Sequence, residues 1–422
     1  MPQFTIKHIE SGEILDSRGD PTVMTTVTLA SGVKAAAAVP SGASVGKFEA
    51  HELRDNNPER YGGKGVLKAC SNVNVKIADV VVGMDVEDQE AIDKAMIKLD
   101  GAKNKSKLGA NAILSVSLAV ARAASVARKI PLYESLQESF GFKKSSRMPI
   151  LVMNLVNGGK HASTNIALQE FQIIPEGCES TQKQVEAGSE IFHALAKVLR
   201  DKGLDTDVGN EGGYAPNVKD INDIFDFFVR AISMAGYEIG KDIVLGIDAA
   251  ANSFYNESKN KYIVAPPERV FGVEELSELY LSWIEKYNLK SIEDPFLEES
   301  WDDWSNFLKQ VASKDIMIVG DDLLVTNKER LKKGIKNKSI NAILVKLNQI
   351  GTLSETIETI KLAQENDIKI IISHRSGETQ DTFISDLAVA VGAGYLKAGA
   401  PSRGERVAKY NRLMEIEREI SK

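Results

Sequence analysis

The chain has 422 residues, 43% hydrophobic and 26% charged, which is enough for a sizeable core and too apolar for global disorder. Its 52 basic and 59 acidic side chains leave a net charge of -7, which argues against a surface that coats nucleic acid but permits a local cationic pocket. The two cysteines, Cys70 and Cys178, exclude a disulfide framework and have no zinc-like spacing.

The opening MPQFTIKHIE lacks a basic-then-apolar signal pattern. Residues 22–29, rich in Thr and Val, and the apolar stretch 33–39 predict two strands near an edge hairpin. Small and apolar residues at helical spacing predict a well-buried helix over 109–128. Its most apolar run, from Ala112, meets Arg122 after ten residues, which is short for a bilayer span. The expectation is a soluble cytoplasmic protein with no transmembrane segment and no DNA partner. A polar stretch over 140–149, ending in Pro149, predicts a boundary. Residues 1–140 then form a smaller α+β domain and residues 141–422 a second domain.

Beyond the boundary the pattern is β/α. Short apolar runs end in a charged or polar residue, and each is followed by a helix-like stretch. The residues at these ends are Asp248, Glu293, Asp321, Lys346, His374 with Arg375, and Lys397. They recur at 23 to 45 residues, near the roughly 30 that one strand–helix unit of a barrel occupies. The long first step suits a unit with an extra hairpin around NSFYNESKNKYIV. Amphipathic helices are predicted over 180–202 (Ser180 capping, Gly203 following), 273–287 and 352–366. Six or more such units favour a closed β/α barrel of the TIM type, although periodicity does not separate it from an open sheet. In such barrels the chemistry sits at the C-terminal strand ends.

Asp248, Glu293 and Asp321 are three carboxylates in register. If they converge they repel, and a hard cation such as Mg²⁺ with all-oxygen ligation would neutralise them. The plainer alternative is three unrelated acids capping the following helices. Lys346, in the apolar ILVKLNQ, is expected to have a lowered pKa and to act as a general base. The alternative is a lysine snorkelling from an edge strand. Arg375 and Ser376 in SHRSGET, read as the junction of a strand with a helix N-terminus, suit a phosphate. Lys397 could neutralise a substrate anion. Two glycine-rich stretches, SGASVG (41–46) and NGGKHAST (157–164, with His161), read as mobile lids. Glu211 in GNEGGYAP could donate a proton, against the plainer reading of a solvated turn residue. His193 reads as packed on its own helix.

The segments LDSRGDPTV, VPSGAS, QEF (169–171), GNEGGYAP, SIEDP, VGDDLLVTN, LVKLNQIGTLSET, SHRSGET and ERVAKYN together resemble the enolase family over nearly the whole chain. That resemblance implies an α+β N-terminal domain, a β/α barrel with an irregular start, and a homodimer or higher homo-oligomer. It implies the reversible conversion of 2-phosphoglycerate to phosphoenolpyruvate in glycolysis and gluconeogenesis, with two Mg²⁺ per active site. Asp248, Glu293 and Asp321 would hold the first ion, and Ser44 would contact the second. Lys346 would be the base at C2 and Glu211 the acid on the leaving hydroxyl, with Glu170 assisting. Gln169, His161, Arg375, Ser376 and Lys397 would line the substrate site, with His374 close by.

The chain departs from the family's common pattern at Asp20, Val45, Asn210, Ala398 and Gly404. None of these is an implied ligand or proton-transfer residue, though Asn210 removes a negative charge beside Glu211. Two alternatives remain at this level. One is another superfamily racemase or acid-sugar dehydratase. The other is a catalytically altered binding or scaffold protein, since family members occur at cell surfaces, without a signal peptide, and in RNA-degrading assemblies.

Overall fold

The computed structural model describes residues 3–42, 46–144 and 147–422. Ser44, the implied contact of the second ion, and Val45 lie outside the described residues.

The N-terminal part begins with an antiparallel sheet, β1 (Ile6–Leu15), β2 (Pro21–Leu29) and β3 (Lys34–Ala38), in the order β1-β2-β3. The second and third strands fall where the Thr/Val pattern places them. β1 was not anticipated, because only some of its residues turn inward and its sequence IKHIESGEIL breaks alternation. Helix Ala110–Arg128 lies across this sheet, with Thr25 and Ser115 hydroxyls 2.6 Å apart at the contact. By length and composition this helix could cross a membrane, contrary to the shorter run read from the sequence. Within the fold it is instead a core helix, buried along most of its length. Arg122 is accommodated by reaching Asp381, with bonds of 2.7 and 2.5 Å.

The C-terminal part is a closed barrel of eight strands. These are β4 (Ile150–Asn157), β5 (Glu170–Ile174), β6 (Val244–Asp248), β10 (Leu289–Glu293), β11 (Met317–Gly320), β12 (Ala342–Val345), β13 (Lys369–Ser373) and β14 (Tyr395–Lys397). The intervening β7 (Tyr255–Asn256), β8 (Lys261–Val264) and β9 (Arg269–Phe271) form a small separate sheet, where the extra hairpin was expected. Closure follows from sequence: the barrel strands are almost wholly buried, and every second residue fills the interior. Val152, Ile174, Val244, Val319, Leu344 and Ile371 form one such inner cluster. Their alternate neighbours pack outward against the helical layer.

One strand runs against the others. β5 pairs antiparallel with both β4 and β6, whereas the remaining neighbours are parallel. The start of β5 therefore lies at the barrel end where its neighbours finish, and Glu170 stands opposite Asp248, which stands opposite Glu293. The N-terminal part is seated at this same end. Ser41 and Gly377 exchange two backbone bonds of 2.8 and 2.9 Å, and the Ser17 amide donates to the Glu378 carbonyl.

Candidate active site

Asp248, Glu293 and Lys397 end their strands, and Asp321, Lys346 and His374 each come one residue after theirs. Five of the six are buried, and Lys346 is half-buried with 12% of its side chain exposed. His161 ends a short turn after β4, Glu211 stands on the loop following helix Thr181–Asp201, and Gln169 precedes β5. With Arg375 and Ser376, these side chains border one cavity at the mouth of the barrel, apart from Asp321 and Glu293, which bond to its lining lysines Lys346 and Lys397.

Two lysines hold the acids. The Lys397 ammonium lies 2.8 Å from Glu293 Oε2, 3.1 Å from Glu170 Oε1 and 3.4 Å from Asp248 Oδ2. Lys346 Nζ is 2.5 Å from Asp321 Oδ2, and Gln349 donates to Asp321 Oδ1 at 2.8 Å. This overturns the expectation of a depressed lysine. Burial pulls Lys346 down, but Asp321 more than offsets it and raises its pKa above the usual value. Burial would lift the Asp321 carboxyl, yet Lys346 holds it below its ordinary range. Glu293 is pushed well up, by burial first and then by the charge on Asp248.

The residues fit a hard divalent cation. Asp248 Oδ1 and Glu293 Oε1 are buried with no hydrogen-bond partner, and the nearby donor set is oxygen-rich. Two tighter groups among the described residues bring candidate ligand atoms within 4.8 Å of one another: His161, Glu170 and Glu211, and Asp294, Asp321 and Asp322. In the second group Asp294 is already engaged, accepting the backbone N–H of Asp321 at 3.0 Å and of Asp322 at 2.8 Å. Its role is to shape the turn that presents Asp321.

The same cavity is bordered by a carboxyl pair. His161 Nδ1 stands 3.6 Å from Glu170 Oε1 and 3.5 Å from Glu211 Oε1. Burial and the neighbouring Glu211 charge lift Glu170 well above its usual pKa. For Glu211, burial pushes up, but His161, His374 and Arg406 together hold it well below. The two neighbouring carboxyls are therefore driven apart, Glu170 upward and Glu211 downward. Glu211 is not a solvated turn residue. Gly213 lies so close to β4 that a Cβ there would come within 2.8 Å of the Asn154 carbonyl, and the Tyr214 amide bonds to Leu155. Those contacts pull the loop onto the barrel and bury Glu211.

Arg375 makes a bidentate pair with Glu49 of the N-terminal part, at 3.0 and 3.2 Å, and also donates to Asn348 Oδ1 at 2.8 Å. The loop carrying Arg375 and Ser376 does not open a helix as expected. Glu378 Oε1 accepts the Arg375 amide, and the next helix, Phe383–Ala390, starts seven residues after Ser376. His193 is exposed on its helix, not packed. Glu49, Asn154, Gln349 and Arg406 were not singled out from sequence. Gln349 and Arg406 lie inside the long motifs LVKLNQIGTLSET and ERVAKYN, so the signal was present, but nothing in the spacing assigned them contacts.

Two family models match the chain. One, described as Enolase, C-terminal TIM barrel domain, covers residues 145–422, and the other, Enolase, N-terminal domain, covers residues 6–136.

Proposed function

This chain belongs to the enolase superfamily through both of its parts, and we propose that within it the protein is a phosphopyruvate hydratase that interconverts 2-phosphoglycerate and phosphoenolpyruvate. The observation that carries this reading is that one cavity is bordered both by a lysine just past β12 and by the Glu170–Glu211 carboxyl pair. An elimination of water needs a base on one face of the substrate and an acid on the other, because hydroxide is a poor leaving group. Racemisation needs two bases and no acid for a leaving group, so the Glu170–Glu211 pair favours elimination.

In this reading Lys346 removes the C2 proton and Glu211 delivers a proton to the departing hydroxyl, with Glu170 as its store. Arg375 and Ser376 receive the phosphate, so the substrate must displace Glu49 from the guanidinium. Asp248, Glu293 and Asp321 would hold Mg²⁺, and Ser44 would contact a second ion. When bound, the ions supply positive charge that stabilises the developing negative charge on the substrate carboxylate and loosens the grip of Asp321 on Lys346. Gln169 donates to Asp248 Oδ2 at 3.0 Å and orients that carboxylate. Action in the cytoplasm as a homodimer, with further surface or RNA-degradation partners, forms part of the same proposal and follows from family kinship alone.

Isotope exchange separates the roles. Lys346→Ala should abolish exchange of the C2 hydrogen with deuterated solvent, while Glu211→Gln should retain exchange and lose net dehydration by about 10²–10⁴-fold. Near wild-type exchange in Lys346→Ala would mean that another group is the base.

A further inference from the structure

Arg406 is fully buried on helix Gly404–Ile420, and its bonds run to both loops that carry the candidate acid and its neighbours. Its Nη1 donates to the Arg375 carbonyl at 2.6 Å, and its Nη2 donates to the carbonyls of Ser376 at 2.6 Å and Asn210 at 3.0 Å. Nη1 also lies 2.6 Å from His374 Nδ1. A guanidinium has only donors and does not deprotonate in proteins. Nδ1 must therefore offer a lone pair to it.

We propose that Arg406 is a positioning residue that locks His374 as the Nε2–H tautomer, aims that N–H at Glu211 Oε2, and so leaves Glu211 Oε1 as the oxygen that carries the transferable proton.

The geometry beyond Arg406 completes the chain. His374 Nε2 lies 3.3 Å from Glu211 Oε2, close but not yet aligned as a hydrogen bond, and among the described residues it has no other partner. Contacts of this length tighten when a substrate organises the site. Asn154 Nδ2 donates to the same Oε2 at 3.1 Å. The Asn154 donor already bound to Oε2, with His374 Nε2 standing near it, disfavours a proton there, since the buried amide N–H would lose its acceptor. Oε1 faces His161 Nδ1 at 3.5 Å and accepts no hydrogen bond among the described residues. Burial, helped by Arg406, outweighs the opposing pull of Glu211 and Glu378 and lowers His374 to about 4, which keeps the ring neutral at pH 7. Asn210, standing where an acid is common, adds no carboxylate to compete for Arg406, which takes its carbonyl instead. The tautomer assignment is independent of the reaction; the role of Oε1 rests on the function proposed above.

The test is ¹⁵N NMR of histidine-labelled, ligand-free full-length protein at pH 7, with His374 resonances identified by their loss in His374→Gln. The expected pattern is a neutral ring with a pyridine-type Nδ1 and a pyrrole-type Nε2. An Nδ1–H tautomer or an imidazolium would overturn the proposal. In Arg406→Lys, which keeps a donor, the pattern should persist; in Arg406→Gln, whose amide can also accept, it should become mixed. If either variant does not fold, the wild-type spectrum alone decides. Where both fold, Arg406→Gln should lower dehydration of 2-phosphoglycerate at least tenfold while C2 hydrogen exchange persists. Parallel loss of both activities would reduce Arg406 to a structural residue. Wild-type protein with the expected tautomer but no dehydration would reject the proposed reaction and leave the positioning assignment standing.

Discussion

At the scale of single residues, the site is a balance of buried charges that constrain one another. Lys397 compensates Glu170, Asp248 and Glu293, and Lys346 compensates Asp321, so removal of any partner strands the others. His374 adds a measurable pH signature. Its folded-state pKa, about 4, lies below the usual 6.5, so between those values the unfolded chain binds a proton that the folded protein refuses. Stability from this group is complete above pH 6.5 and is lost as pH falls toward 4, by at most about 1.4 kcal/mol per pH unit. Denaturant unfolding of wild type and His374→Gln across this window should give a shallower slope for the variant. Identical slopes would mean that His374 protonates normally in the folded state.

At the scale of elements, the sequence was most legible where one period dominates. The buried runs ending in Asp248, Glu293, Asp321, Lys346 and Lys397 became barrel strands, and Ser180 and Thr352 cap the helices they were expected to open, accepting the amides of Lys183 and Glu355. Legibility failed where tertiary contacts decide. The reversed direction of β5 cannot be read from QEFQII, because antiparallel and parallel buried strands share one apolar pattern. The elevated pKa of Lys346 needed Asp321 at contact distance, and the burial of Glu211 needed the close approach of Gly213 to β4. That approach is testable. Gly213→Ala would press a Cβ on the Asn154 and Leu155 backbone, costing about 1–3 kcal/mol and moving Glu211 from its partners. Thermal melts should drop and dehydration should fall, with C2 exchange less affected. An unchanged melt and full activity would show that the loop can relax without cost.

For the whole molecule, the N-terminal part contributes directly to the barrel's mouth. Ser41 bonds to Gly377, Arg122 to Asp381, and Glu49 reaches Arg375. The motifs VPSGAS and SHRSGET were visible separately in the sequence, but their meeting across more than 300 residues was not, because no local pattern encodes it. In the proposed reaction an incoming phosphate would compete with Glu49 for Arg375. Glu49→Gln should bind inorganic phosphate about tenfold more tightly by calorimetry, equal to about 1.4 kcal/mol, while losing thermal stability because the buried Arg375–Glu49 ion pair is gone. Weaker phosphate binding in the variant would remove Arg375 as the phosphate receptor.

The account as a whole stands on one reaction. Purified full-length protein, freed of metal by exhaustive chelation, is mixed with 2-phosphoglycerate, and the ultraviolet absorbance of the enol phosphate product is followed before and after Mg²⁺ is restored. The account predicts no product in chelator, prompt formation of phosphoenolpyruvate on addition of Mg²⁺, and no product from Lys346→Ala under either condition. Failure of wild-type protein to form phosphoenolpyruvate with Mg²⁺ present, or full turnover after chelation, would contradict it.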